Sequence, residues 1–412
     1  MDTQLMAQRA RDAAFHVATF PTKKKNAALL RMAGLLTENK EKIIEANQAD
    51  ISKAEERGLG DNLLRRLVFD EKKIQGRIRS LKKIAELSDP VGQIENMEKR
   101  PNGLMVGRMR VPIGVILMIY EARPHVTVNA GAFCLKSGNV AILKGGKEAE
   151  TCNSLIGRLW DQALKEEGLT QNAIHTFQAS HDEISELLHM EDLIDLVIPR
   201  GGKTLIQTVT RQSRIPVIKH FEGICHVFID RDADMEKAIE IAINSKTLMP
   251  EVCNAMETLL MADNMKAQLP ILVEAFHSHG VEVRGCEKTV SSVNNVLKAT
   301  HEDWSTEYLD NIISIKMVED IDQAMEHINK YGSHHTDTIV TESYARARKF
   351  IRGVDSGVVL VNASTMFNDG ETLGMGAEIG ISTDKLHARG PMGLKELTTY
   401  KFVVFGDGHV MD

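Results

Sequence analysis

The stretch Val111–Lys147, VPIGVILMIYEARPHVTVNAGAFCLKSGNVAILKGGK, decides how the chain folds. The apolar run from Val111 to Tyr120 predicts a buried strand, being strand-sized and rich in β-branched residues. Pro124 suits the first turn of a helix that runs to about Lys136, and Ser137-Gly138 closes it. Asn139 to Leu143 then reads as a second strand. Strand, helix, strand in this order implies two parallel strands joined by a crossover helix.

The alternation continues outward. Helix 148–167 precedes strand 173–177, helix 182–190 precedes strand 193–198, and helix 203–211 precedes strand 216–218. This is the pattern of a doubly wound α/β domain. A second α/β unit begins near Ile224. It has strand 225–229, helix 234–245, strand 257–261, helix 264–279 and strand 281–284. Strand 312–316, helix 321–330, strand 338–340, helix 344–353 and strand 357–361 complete it. Before Val111 the apolar spacing is helical, as in Ala27, Leu29, Leu30, Met32, Ala33 and Leu36. Asp369 to Gly380 reads as a long loop, a feature that in compact enzymes is often functional.

Composition sets the class. With 412 residues, 43% hydrophobic and 26% charged, the chain is an ordinary globular protein of two or three domains. A formal net charge of −7 gives no reason to expect nucleic-acid binding. No apolar run approaches the roughly 20 residues of a membrane span, and the first ten residues lack the apolar core of a signal peptide. Five scattered cysteines argue against a disulfide framework and for a reducing cytoplasm. The absence of CxxC and HExxH leaves no metal motif.

Four segments carry candidate chemistry. In SKTLMPEVCNAMETLLM, Cys253 falls between a helix and a strand, where a thiol can be exposed and held near backbone N–H groups that favour the thiolate. The plainer alternative is a small buried hydrophobe. In NVAILKGGK, Lys144 and Lys147 stand at the carboxyl end of a parallel strand, where nucleotides bind in open sheets; two solvated lysines in a glycine turn is the alternative. Pro199-Arg200-Gly201-Gly202 follows a strand and opens a helix, so backbone N–H groups can meet a phosphate there. Neither GxGxxG nor the Walker spacing is present. After a buried strand come Asn362 to Thr365, then Gly374 to Glu378, then LHARGPMG with His387 and Arg389, either an anion-binding loop or a plain surface loop.

Taken in order, these segments resemble the aldehyde dehydrogenase superfamily and, within it, the γ-glutamyl phosphate reductase family of proline biosynthesis. The carriers are the Val111–Lys147 stretch, IPRGGK, IPVIKHFEGICHVFID, VCNAMETLL, VNASTMFNDG and LHARGPMGLKELTTYK, which together span nearly the whole chain. The resemblance implies a doubly wound NADP-binding domain (1–100 and 112–223) and an α/β catalytic thiol domain (224–385). It also implies an oligomerisation hairpin at 101–111 that pairs with a strand within 394–412, and hence a homo-oligomer. It further implies NADPH as cofactor, L-glutamate 5-phosphate as substrate and a thioester on Cys253. It leaves glutamate 5-kinase open as a partner, and it places the work in the cytoplasm.

Departures from the water-using members fit that chemistry. His220 stands where those enzymes carry a hydrolytic glutamate, and Glu222 falls two residues later. Ala122-Arg123-Pro124 replaces a segment ending N-x-P that holds the oxyanion, so Asn254 or the Cys253 backbone N–H is expected to take that role. Lys147 replaces a glutamate that holds ribose hydroxyls, which favours a 2′-phosphate. Glu307, in TEYLDNI, matches a nicotinamide-ribose glutamate, although Leu309-Asp310 follows where relatives have Phe-Gly. Arg123, His387 and Arg389 are the candidates for the anionic substrate. The competing readings are an NAD-linked, water-using aldehyde oxidation, which His220 and Lys147 oppose, and a binding protein without activity, which an intact Cys253 opposes.

Overall fold

A computed structural model describes residues 2–219 and 221–411; the side chains of residues 61 and 62 are not described. Contacts divide the chain into two compact units. The first is Met1–Lys219 with Gly374–Gly380 and Met392–Asp412, and the second is His220–Leu373 with Ile381–Pro391.

The first unit opens with helices α1 (Thr3–Ala18), α2 (Thr22–Glu38), α3 (Lys40–Glu56), α4 (Asp61–Leu67) and α5 (Glu71–Glu86). Each long helix turns an apolar stripe inward; on α5, Ile74, Ile78, Leu81 and Ile84 are buried, and the Asp70 side chain caps its start by accepting from Lys73 N–H. Two antiparallel strands follow, β1 (Ile94–Lys99) and β2 (Met105–Pro112). Then come β3 (Val115–Tyr120), α6 (Pro124–Lys136), β4 (Val140–Lys144), α7 (Glu150–Glu166), β5 (Ile174–Phe177), α8 (His181–Leu187), β6 (Leu196–Arg200) and α9 (Lys203–Gln212).

The run 111–120, expected as one strand, is two. Pro112 cannot donate and Gly114 takes φ +133°, so the chain turns there and enters a different sheet. The expected strand 216–218 is reduced to one parallel bridge, Val197 to Val217. The four parallel strands lie in the order β5-β4-β3-β6. The chain winds outward from β3 through β4 to β5 and then returns to β6 on the other side of β3. The carboxyl ends of β3 and β6 therefore flank a switch point, the place where open α/β sheets bind ligands.

The second unit holds β7 (Cys225–Ile229), α10 (Met235–Thr247), β8 (Met256–Ala262), α11 (Leu269–Ser278), β9 (Glu282–Gly285), α12 (Glu287–Val290) and β10 (Leu297–Lys298). It continues with β11 (Ile312–Val318), α13 (Ile321–Tyr331), β12 (Thr336–Val340), α14 (Tyr344–Gly353) and β13 (Val358–Val361). Its seven strands run in the order β10-β9-β11-β8-β7-β12-β13. Every residue of β7, β8 and β12 is buried, including the polar His226, Glu257, Thr258, Thr336, Asp337 and Thr338.

Two short strands, β14 (Gly380–Ser382) and β15 (Gly390–Met392), form a separate sheet, and β16 (Thr398–Phe405) pairs antiparallel with β2 inside the same chain. Residues 101–111 and 398–405 thus share one three-stranded sheet, which belongs to the first unit. The loop residues 374–380 also pack with that unit rather than with the thiol unit expected to hold all of 224–385. The reason is local: Gly376 lies against the Leu87 side chain, and Gly380 against the Arg200 guanidinium.

Candidate active site

Cys253 lies in the turn between α10 and β8, partly exposed and in no disulfide. Several contacts fix that turn. The buried Cys225 thiol donates to the Cys253 carbonyl at 3.2 Å. Gly223 is pressed against the same peptide: a Cβ there would lie 1.8 Å from the Cys253 carbonyl oxygen and 2.6 Å from its Cα. Only glycine permits that approach. Burial pushes the Cys225 thiol well above its ordinary range, so it serves as a neutral donor and not as a second nucleophile. Cys134 and Cys152 are buried in helices, with their thiols likewise pushed up.

Asn254 does something other than expected. Its amide group donates to the backbone carbonyls of Met366, at 3.3 Å, and Asn368, at 3.2 Å. Both amide hydrogens are committed to tying the segment after VNAST to the Cys253 turn, which leaves no donor for an oxyanion. The same segment is anchored a second time, because Ser245 Oγ accepts from Thr365 N–H at 3.1 Å.

Glu307 is placed beside this turn through Gly223: its carboxylate accepts the Gly223 N–H at 2.7 Å. Beneath lies a fully buried ion pair, Lys246 to Glu257, at 2.6 Å. Sequence reasoning passed over both residues, since neither stands in a loop or a glycine-rich turn. Arg389 is paired rather than open. Its guanidinium donates to Asp355 Oδ1 at 2.7 Å and to the Asp355 carbonyl at 3.0 Å, while Lys385 holds the other carboxylate oxygen at 2.7 Å. In this structure the guanidinium is engaged by Asp355. His387, two residues earlier, is exposed with φ +70°. His220 lies outside the described residues.

The remaining candidates sit in the first unit. Lys144 ends β4, half-buried, and burial lowers its affinity for a proton. Lys147 is exposed and lines a cavity of about 120 Å³ with Lys53, Arg57, Asp50, Glu148 and Glu150. Two of these carboxylates are engaged elsewhere: Asp50 accepts the N–H groups of Thr151 and Cys152 at the start of α7, and Glu148 accepts that of Ala122. Pro199 and Arg200 end β6, and Gly201 and Gly202 lead into α9 as expected. The anion at this helix start is the chain's own, for Glu121 Oε2 accepts the Gly202 N–H at 2.7 Å.

Arg123 caps the start of α6, next in the chain to β3. Burial first, and then the charges of Arg77, Arg123, Lys73 and Arg200, hold the His125 imidazole near a pKa of about 3. Lys73, Arg77 and His125 were not singled out from sequence. The signal was present in EKKIQGRIR, where Lys73 and Arg77 are four apart and so share a helix face, but a basic helix face usually means solvent.

A model of the aldehyde dehydrogenase family matches residues 1–283. The chain is 49% identical to the γ-glutamyl phosphate reductase of Caldanaerobacter subterraneus subsp. tengcongensis, across all of both chains. The chain belongs to the γ-glutamyl phosphate reductase branch of the aldehyde dehydrogenase family. A crystal structure of the γ-glutamyl phosphate reductase from Thermotoga maritima, 44% identical, superposes with a TM-score of 0.97 and full coverage of both chains. An acetylating aldehyde dehydrogenase from Geobacillus thermoglucosidasius, at 16% identity, has a TM-score of 0.71, over 100% of this chain and 98% of that one, and shares the fold. Among the described residues no helix is long and apolar enough to cross a membrane, and no group of metal-ligating side chains gathers.

Proposed function

We propose that the chain reduces L-glutamate 5-phosphate to L-glutamate 5-semialdehyde and phosphate with NADPH, through a thioester on Cys253, for proline synthesis. The observation that carries this reading is the fixed turn of Cys253: a partly exposed thiol whose own peptide is immobilised by Cys225 and Gly223. Relatives bearing the reductase name over the full length support the substrate.

The chemistry follows from the residues. The Cys253 thiolate attacks the acyl carbon, the bond to the phosphate oxygen breaks, and phosphate leaves, so no water is consumed. NADPH, when bound, supplies the hydride that reduces the thioester carbon. The resulting oxyanion re-forms a carbonyl and expels the thiolate, which restores Cys253 and releases the semialdehyde. Because both Asn254 amide hydrogens are engaged, the oxyanion role falls to the backbone N–H of Cys253.

The cofactor fits residues of the first unit. Lys144 ends a parallel strand beside the switch, and Lys147, Lys53 and Arg57 gather positive charge at a cavity two of whose carboxylates already hold backbone donors. That is the charge a 2′-phosphate needs. The backbone N–H of Gly202 is a second anion donor, released when Glu121 moves aside. Glu307 is assigned to the nicotinamide ribose, exchanging its Gly223 contact for a hydroxyl. Arg123, with Lys73, Arg77 and Arg200 nearby, is assigned to the substrate's anionic groups. The exposed side chains of β16, Tyr400, Phe402 and Val404, are assigned to contact with a second copy. Light scattering that gives the mass of one chain at micromolar concentration excludes that contact.

The deciding assay runs the reaction backwards. Glutamate 5-semialdehyde with NADP⁺ must give NADPH only when inorganic phosphate or arsenate is present. Phosphate-independent formation of NADPH would overturn the reading in favour of a water-using oxidation.

A further inference from the structure

We propose that Glu257, held by Lys246, is the positioning residue that sets the Cys253 turn and the Glu307 loop together. The proposal rests on the reading of Cys253 as nucleophile.

Lys246 belongs to the last turn of α10, and Glu257 is the second residue of β8. They stand on either side of the connection that contains Cys253, so their bond at 2.6 Å closes its base. Both side chains are wholly buried, and burial pushes Glu257 up and Lys246 down from their ordinary ranges. Replacing such a pair by apolar residues of similar volume often costs nothing or stabilises. Stability therefore gives no reason for charges here.

The carboxylate has a second task. Its Oε2 meets Lys246, and its Oε1 accepts the backbone N–H of Leu309 at 3.2 Å. Leu309 adopts φ +53°, a left-handed conformation that is strained for a bulky side chain and needs a contact to hold it. Two residues earlier stands Glu307, whose carboxylate takes the Gly223 N–H at 2.7 Å, and Gly223 is the residue pressed against the Cys253 peptide. The path from Lys246 through Glu257, Leu309, Glu307 and Gly223 to Cys253 is an unbroken series of contacts within one unit. Tyr308 is fixed beside it, its ring 5.9 Å from the Lys246 ammonium and its hydroxyl bonded to Asp303 and Ser314 at 2.7 Å each. Removing the acceptor at position 257 frees Leu309 to relax, which shifts Glu307 and with it the wall against which Cys253 is fixed.

Two double variants separate positioning from packing. Lys246→Met/Glu257→Gln removes the charges and keeps an amide oxygen for Leu309 N–H. Lys246→Met/Glu257→Leu removes that acceptor as well. Each is measured for melting temperature, for the kcat and KM of phosphate-dependent NADP⁺ reduction, and for the rate of Cys253 alkylation by iodoacetamide in the absence of cofactor. The Gln variant is expected within about fivefold of the parent kcat. The Leu variant is expected to lose thirtyfold or more in kcat and tenfold or more in alkylation rate, with melting within a few degrees of the Gln variant. Equal kcat and equal alkylation rates in the two doubles overturn the proposal. If the Leu double does not fold, Lys246→Met/Glu257→Ala, which removes the acceptor with a smaller side chain, decides: alkylation and kcat equal to those of the Gln double also overturn it. Failure of the underlying reading is distinguishable, because the parent itself would then show no selective alkylation of Cys253.

Discussion

The two units place charge differently around the residues assigned to the reaction. In the unit that carries Cys253, three buried or partly buried acid–base contacts tie strands and helices together. Lys246 meets Glu257, His226 meets Asp337 at 2.8 Å, and Arg346 meets Asp230 at 2.5 Å. In the other unit, basic side chains disfavour a charged His125 near the β3–β6 switch, while acidic ones hold backbone donors there. The basic ones are Arg77, Arg123, Lys73 and Arg200, and Glu121 and Glu148 hold backbone N–H groups of Gly202 and Ala122. Paired charges fix shape, whereas like charges held together are stabilised when an anion arrives from outside. On the proposed reading one unit supplies geometry and the other anion recognition, and each part of that division can be broken by substitution.

The largest effect is expected at the thiol. Cys253→Ser should fold and bind NADPH as the parent does, yet lose about four decades or more of turnover, because an alcohol at its ordinary pKa is a poor nucleophile. Activity within tenfold of the parent would remove Cys253 from the chemistry. Next comes Arg123→Lys, which keeps the charge but loses the planar fork that binds two oxygens at once. Catalytic efficiency should fall about tenfold or more, a loss of about 1.4 kcal/mol of transition-state binding, with NADPH affinity unchanged. Equal losses in substrate and NADPH binding would mean that the cluster around His125 serves the cofactor instead.

Lys147→Glu sharpens the cofactor side of the division. It should weaken NADPH binding at least tenfold more than NADH binding, measured by nucleotide fluorescence without substrate, because it sets a negative charge against the 2′-phosphate. A uniform effect on both nucleotides would place that phosphate away from the cavity shared with Lys53 and Arg57.

Much of this was legible from residue order, and the rest failed for physical reasons. Strand-helix alternation from Val115 to Gln212 gave the doubly wound sheet because buried parallel strands are continuous apolar runs of limited length. The segment around Cys253 left both a reactive thiol and a small buried hydrophobe open, and the family resemblance singled the thiol out. The break at Pro112 to Gly114 was hidden, since apolar residues continue across it while the sheet changes. β1 was missed because Ile94–Lys99 alternates around charged residues and is largely exposed. The Lys246–Glu257 pair was illegible in principle: an ion pair across eleven residues is set by how α10 returns to β8, not by any local pattern.

Arg389 carries the smallest expected effect and gives a strict test of the difference between paired and unpaired charge. Its guanidinium and Lys385 together hold the Asp355 carboxyl down at a pKa of about 2, the Lys385 contact being the larger cause. The depressed carboxyl contributes stability that is present above its unfolded value near 4 and is lost as pH falls toward 2. Asp355 is well exposed, so the contribution is screened to at most about 1 kcal/mol. Asp355→Asn should therefore lower the melting temperature by a few degrees at pH 7, and the difference should shrink as the pH is lowered below about 4, closing only once it passes below about 2. Arg389→Lys should keep the efficiency of the phosphate-dependent reaction within about threefold, since one donor to Asp355 survives. A tenfold loss in Arg389→Lys, with melting unchanged, would show that this guanidinium leaves Asp355 to bind substrate, and the division of labour between the two units would then fail at that residue.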